Sequence, residues 1–147
     1  IFPYLKIRRL KGGNGAKRHE DRMNEFKFPH LYAPITLGNT VFRNRIFGSP
    51  TGPSNLSSHQ LPTPETCAYY ERKAIGGAAS VCVGDCSVDS VHGRTGSSRI
   101  ALDKQDTYGP IGKLASAISV HGAVASVELQ HGGSHSFGMS RMLMFNF

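Results

Sequence analysis

Ala79-Ser80-Val81-Cys82-Val83-Gly84 is a nearly continuous apolar run, set between Gly76-Gly77 and a polar loop from Asp89 to Asp106. A strand with one wet face alternates apolar and polar residues, whereas a strand covered on both faces does not, and parallel sheets are covered on both faces. Upstream of the run, Thr63-Pro64-Glu65 reads as a helix start: a capping hydroxyl, a proline at the first turn, and a carboxylate at the positive end of the dipole. The helix is predicted through Tyr69, Arg72 and Ala74 to Gly76-Gly77, where glycine supplies the left-handed stop. Downstream, Pro110 opens a second predicted helix, with Ile111, Leu114, Ala115 and Ile118 on one stripe and His121-Gly122 at its end. Val124-Ala125-Ser126-Val127-Glu128-Leu129 follows as another buried strand. Before all of these, Arg45-Ile46-Phe47-Gly48-Ser49-Pro50 is a short strand, and Thr51 to Pro62 a Gly/Pro/Ser/Asn loop. Ile35, Leu37, Val41 and Phe42 flank Gly38-Asn39, the signature of a tight β-hairpin.

Hairpin, then strand-helix-strand-helix-strand, demands parallel strands joined by crossovers. An open doubly wound sheet and the first units of an eight-stranded barrel both satisfy that order, and an N-terminal hairpin suits a barrel, whose bottom it can plug. A barrel takes about 250 residues. The 147 residues hold three strands of eight, so on the barrel reading the chain is a fragment.

Composition narrows the function classes. Hydrophobic residues are 39% and charged residues 18% of the chain, with 17 glycines, which favours buried strands and tight loops over a solvated disordered chain. No apolar run approaches the ~18 residues that span a bilayer, and Lys6, Arg8 and Arg9 interrupt any signal-peptide pattern. Three cysteines, Cys67, Cys82 and Cys86, do not make a disulfide framework and favour a reducing cytoplasm. The net charge is +7, but residues 1–22 carry seven basic and two acidic residues, so +5 of it belongs to a short tail. That tail lacks aromatic interleaving, which makes a nucleic-acid partner the weaker reading of its charge. Met23 stands where the globular pattern begins, and the native start is expected there, with residues 1–22 outside the fold.

In α/β folds function gathers where strands end. The three predicted ends are Ser49-Pro50-Thr51-Gly52, Gly84-Asp85-Cys86 and Gln130-His131-Gly132-Gly133. Small residues there let backbone approach a flat ligand, and Gln130 offers a donor and an acceptor on one planar amide. His131 and His135 have a helical metal spacing, but Gly132-Gly133 oppose a helix; Cys82 and Cys86 stand at CxxxC, which is neither a common zinc nor a redox spacing. Cys82 is expected in the core and Cys86 at a strand end near the ligand. Glu128 should share a face with Gln130, pointing into the barrel or toward a loop amide.

The ordered set His30-Leu31-Tyr32-Ala33-Pro34-Ile35, Gly38-Asn39, Asn44-Arg45-Ile46 to Ser49-Pro50, Tyr70-Glu71-Arg72, Gly76-Gly77-Ala78-Ala79, Gly84-Asp85-Cys86-Ser87-Val88-Asp89, Gly93-Arg94 and His121-Gly122-Ala123, closing on Val127-Glu128-Leu129-Gln130-His131-Gly132-Gly133, resembles the N-terminus of the old yellow enzyme family of flavin oxidoreductases. The branch it is most similar to includes 2,4-dienoyl-CoA, enoate and bile-acid reductases and trimethylamine dehydrogenase. The resemblance covers about Phe28 to His135 and implies a partial (β/α)8 TIM barrel: an N-terminal β-hairpin plus the first three parallel strands and two intervening helices. Residues 23–141 would be the barrel portion and 142–147 a truncated end. It also implies FMN as cofactor and NAD(P)H as reductant, with hydride passing through the flavin to a small-molecule activated alkene. Carried over by position, Ser49, Pro50 and Thr51 would contribute backbone beneath the flavin, Gly84 or Asp85 a second contact, and Gln130 a bond to the pyrimidine edge. The iron–sulfur cluster and FAD of the enoate-reductase branch would be bound beyond this chain, as would the family's catalytic acid–base and phosphate-binding residues. Two departures stand out. Gly52 replaces a side chain that tunes the flavin in many relatives, and Asp85 replaces a small or aromatic residue. The alternatives are a small non-catalytic α/β ligand-binding module, or nucleic-acid binding through the basic N-terminal tail.

Overall fold

A computed structural model describes residues 28–53 and 55–137. The expectations for residues 1–22, for a start at Met23 and for the end at 142–147 fall outside them. After a short helix α1 (Pro29–Tyr32), strands β1 (Ile35–Leu37) and β2 (Thr40–Phe42) form the expected antiparallel hairpin, with Gly38 at φ +58° in its turn. Then come β3 (Phe47–Thr51), α2 (Pro64–Ile75), β4 (Ser80–Ser87), β5 (Ile100–Ala101), α3 (Tyr108–Ser119) and β6 (Val124–Gln130). β4 lies parallel between β3 and β6, and the two-residue β5 pairs with Cys86 and Ser87 at the end of β4.

Helix α2 starts as its residues dictate. Thr63 Oγ1 accepts the Thr66 N–H while Thr66 Oγ1 accepts the Thr63 N–H, a reciprocal cap, and Pro64 takes the first turn. At its other end Gly77 adopts φ +103°. Helix α3 opens at Tyr108, two residues before the expected Pro110, because a 3-10 turn over Gln105–Thr107 feeds into it. Thr107 is held there by its own hydroxyl, which donates to the Ala101 carbonyl at 2.5 Å and so ties the turn to β5.

Both helices cover one face of the sheet. Tyr70 and Ala74 of α2 and Leu114 and Ile118 of α3 pack on Val81, Val83 and Cys86 of β4, with Ile100 beneath them. β4 is buried along most of its length, as its unbroken apolar run predicts. β6 departs from expectation: Val127 is 41% and Leu129 65% exposed, because among the described residues β4 is the only strand paired with it, and α3 is the helix that packs on it. The hairpin docks at the opposite end of the sheet from the strand C-termini. Arg43, just after β2, donates from Nη1 to the His121 carbonyl (2.6 Å) and from Nη2 to those of Ala74 (2.9 Å) and Ala78 (2.8 Å). One cation thereby meets carbonyls at the C-terminal ends of both helices.

Among the described residues no helix is long and apolar enough to cross a membrane, and Cys67, Cys82 and Cys86 are free thiols.

Candidate functional site

The predicted second strand end is not an end. β4 continues through Gly84-Asp85-Cys86 to Ser87, and the interruption is a bulge. Val83 pairs with Val127 and Cys86 with Leu129, so three steps on β4 match two on β6. The extra residue reverses the alternation, which puts Cys86 on the same helix-covered face as Val81 and Val83, leaving Cys82 on the other. The expected roles of the two thiols are therefore exchanged: Cys86 is fully buried in the core, and Cys82 is half-buried on the face that carries no helix. Desolvation pushes the Cys86 thiol up to about 12.

At the bulge Asp85 takes φ +55°, one of two described non-glycine residues with positive φ. Glu128 Oε2 accepts its N–H at 3.1 Å, which resolves the direction of Glu128: across to the neighbouring strand's backbone. The Asp85 carboxylate meets Arg99 Nη1 at 3.1 Å. Gly52 makes room for this pair, since a Cβ there would lie 2.7 Å from Asp85 Oδ2 and 3.2 Å from Arg99 Nη1. Gly84 is required by close approach of the chain itself: its Cβ would lie 2.4 Å from Thr51 N and 2.9 Å from Pro50 C.

The first strand end is anchored from the helix side. Tyr70 Oη donates to the Thr51 carbonyl at 2.5 Å, and Lys73 Nζ reaches the Thr51 hydroxyl at 3.4 Å while lying 4.7 Å from the Tyr69 ring centre. Desolvation raises the Tyr70 phenol, which keeps it a donor. Ser49 and Pro50 are exposed.

At the third end, Gln130 Nε2 donates to Thr95 Oγ1 (3.0 Å), and Gln130 Oε1 is buried with no donor among the described residues. The Gly93–Thr95 segment lies against this end: the Gly132 N–H donates to the Gly93 carbonyl at 2.6 Å, and the Phe137 N–H to that of Arg94 at 2.7 Å. His131 Nδ1 accepts the Gly133 N–H at 3.1 Å, so its proton-bearing nitrogen in the neutral ring is Nε2. His135 stands in a 3-10 turn, Gly133–His135, that His131 does not join. No group of three or more His, Cys, Asp or Glu among the described residues is arranged for a metal ion.

The structure thus packs Pro50, Thr51 and Gly84 directly together, sets Asp85 over Gly52, and links Asp85 to Gln130 through Arg99 and Thr95, whose Nε–Oγ1 distance is 3.3 Å. Sequence reasoning missed Arg99, Thr95 and Tyr70. The first two stand in a loop without periodicity, and their partners are 14 and 35 residues away in the chain. A separate groove of about 370 Å³ runs between the starts of α2 and α3, lined by Cys67, Glu71 and Lys113 among others, and contains none of the predicted site residues.

Comparisons with known proteins give this geometry its setting. Two curated relatives are similar over most of the chain. NADH oxidase of Thermoanaerobacter brockii is 26% identical over 106 residues, which is 72% of this chain and 16% of that protein. N,N-dimethylglycine/sarcosine dehydrogenase of Chromohalobacter salexigens is 30% identical over 112 residues, 74% of this chain and 16% of that protein. The chain therefore spans about a sixth of the length of these relatives. Among solved structures, the old yellow enzyme from Trypanosoma cruzi superposes with a TM-score of 0.67 at 22% identity, covering 74% of this chain and 29% of that one. Morphinone reductase in complex with tetrahydroNAD gives 0.66 at 19% identity over the same shares. These neighbours are (β/α)8 barrels, and the hairpin with its parallel strands and two helices is the corresponding part of one. Residues 30–142 match a single family description, and on that match the chain belongs to the NADH:flavin oxidoreductase / NADH oxidase family.

Proposed function

We propose that this chain forms the first part of the flavin-binding barrel of an FMN-dependent NAD(P)H oxidoreductase acting on a small activated alkene. The observation that carries the reading is that β3, β4 and β6 run parallel, so that their C-terminal ends fall at the same end of the sheet, within a stretch that matches the family. FMN, when bound, supplies hydride exchange between a reduced nicotinamide and the substrate. The residues present fit a flat heterocycle in two respects. The exposed end of β3 offers backbone at Ser49, Pro50 and Thr51, while Gly84 packs against that end and Asp85 beside it carries the carboxylate held by Arg99. The Gln130 Oε1 acceptor has no donor among the described residues, and a ring N–H is a donor of the kind it would accept. The Gly93–Thr95 segment closes on that residue, and the Gln130 Oε1 atom is buried there. Bonds of this kind stabilise negative charge developing on a reduced ring.

The proposed division of labour is that these strand ends form the flavin floor, while the phosphate anchor and the acid–base residues come from later barrel units, as barrel phosphate sites do. The test has two arms. The 147-residue chain, expressed alone, is expected to be colourless and to bind FMN weakly; the full-length protein carrying it is expected to purify yellow, bleach with NADH or NADPH without oxygen, and recolour with an enoate. A stable yellow 147-residue monomer with stoichiometric FMN would overturn the division of labour, and a full-length protein that takes up no flavin would overturn the flavin reading.

A further inference from the structure

We infer that Arg99 is a positioning residue that holds the β4 and β6 strand ends in one arrangement. The inference rests on the flavin reading above and adds to it a residue outside the strands themselves.

The argument begins with Asp85. Left-handed backbone is costly for an L-residue, so a non-glycine residue persists there when its surroundings hold it. Here the hold comes from three directions: Glu128 on its N–H, the space above Gly52, and Arg99 on its carboxylate. The Arg99 and Asp85 side chains are 23% and 30% exposed, sheltered enough that removing one partner leaves the other charge poorly solvated.

Arg99 does more than pair with Asp85. Its guanidinium is planar, and its donors leave in fixed directions. Nη1 serves Asp85 and the Ser98 carbonyl (3.2 Å), while Nε donates to Thr95 Oγ1. The same Thr95 hydroxyl accepts from Gln130 Nε2, so its two lone pairs are divided between Arg99 and Gln130. One rigid group in the loop after β4 thus orients a carboxylate on β4 and, through one hydroxyl, an amide at the end of β6. Lysine could neutralise Asp85 but could not also fix Thr95, because an ammonium is a point charge without the fork.

Arg99→Met, Arg99→Lys and Thr95→Val in the full-length protein test this, read by amide hydrogen exchange and by FMN titration. Arg99→Met is expected to raise exchange at 84–86 and at 128–132 together, and to raise the FMN dissociation constant about tenfold or more, since both ends must then be ordered on binding. Arg99→Lys is expected to restore protection at 84–86 but not at 128–132. Thr95→Val is expected to loosen 128–132 alone. Arg99→Met that loosens only residues 93–99, or leaves FMN affinity within twofold, or tightens it, would overturn the inference. Should Arg99→Met fail to fold, Arg99→Lys and Thr95→Val decide the matter, and equal behaviour of the two strand ends in both would refute it. A wild-type protein that takes up no flavin yet shows these exchange patterns would sink the flavin reading and leave the positioning role standing.

Discussion

Replacing Gly84 with alanine tests the packing that sets the strand ends. The added methyl would lie 2.4 Å from Thr51 N, 2.7 Å from Thr51 C and 2.9 Å from Pro50 C. These are backbone atoms of the neighbouring strand, which cannot rotate away as a side chain could. Overpacking a rigid site costs about 1–3 kcal/mol, occasionally more, and three contacts this short put Gly84→Ala at the upper end. Pushing β3 outward also breaks the Tyr70–Thr51 bond, worth about 1 kcal/mol. The expected loss is about 3–4 kcal/mol, a large share of the roughly 5–15 kcal/mol that holds a domain together. At about 2–4 °C per kcal/mol, the unfolding midpoint should fall by roughly 6–16 °C. Urea and thermal denaturation followed by circular dichroism measure both quantities. Gly112→Ala is the control: it lies inside α3 with nothing within 4 Å of the new methyl, so it should stabilise by about 0.5–1 kcal/mol. If Gly84→Ala unfolds within about 0.5 kcal/mol of wild type, as an ordinary surface substitution would, the close approach of β3 and β4 is refuted.

Arg43→Met should cost about 2–3 kcal/mol, because three carbonyls at the two helix ends lose a charged donor, and Arg43→Lys should recover less than half of it for want of the planar fork; full recovery in urea denaturation would contradict that geometry. Cys86 should resist thiol reagents at pH 8 in the native state and react on unfolding. Its folded value, about 12, stands above the ordinary 9.0, so its contribution to stability is present below pH 9 and is lost as pH rises toward 12. The raised Tyr70 phenol contributes loss of the same sign at higher pH. Cys86→Ala should flatten the first part of that alkaline limb, and an unchanged limb would count against the burial.

Much of the fold was legible because its causes are local. Thr63, Pro64 and Gly77 start and stop α2 through their own backbone preferences, and Gly38 does the same for the hairpin turn. The Val81–Val83 run announced a buried central strand, and β4 lies between β3 and β6 with its Val81–Val83 face under the helices, while the Cys82 face is only half-buried. The site was legible only as a set of places. Parallel order puts the C-terminal ends of the strands at one end of the sheet, so Ser49 and Gln130 could be named from their positions in the chain, whereas Asp85, named the same way, lies at a bulge inside β4. What they touch could not be, because each contact depends on residues far away in sequence.

The chain's own pattern of caps, stripes and apolar runs determined the order of elements and the parallel sheet, since each arises from residues within a turn or two of one another. Tertiary structure decided the rest. A single extra residue in β4 put Cys86 on the opposite face from Cys82, because alternation along a strand survives only while its register with the neighbour is kept. Arg99 and Thr95 became part of the strand-end network for the same reason. Their partners are chosen by where the folded backbone brings charge and hydroxyl within hydrogen-bonding distance, a choice that no short stretch of sequence contains.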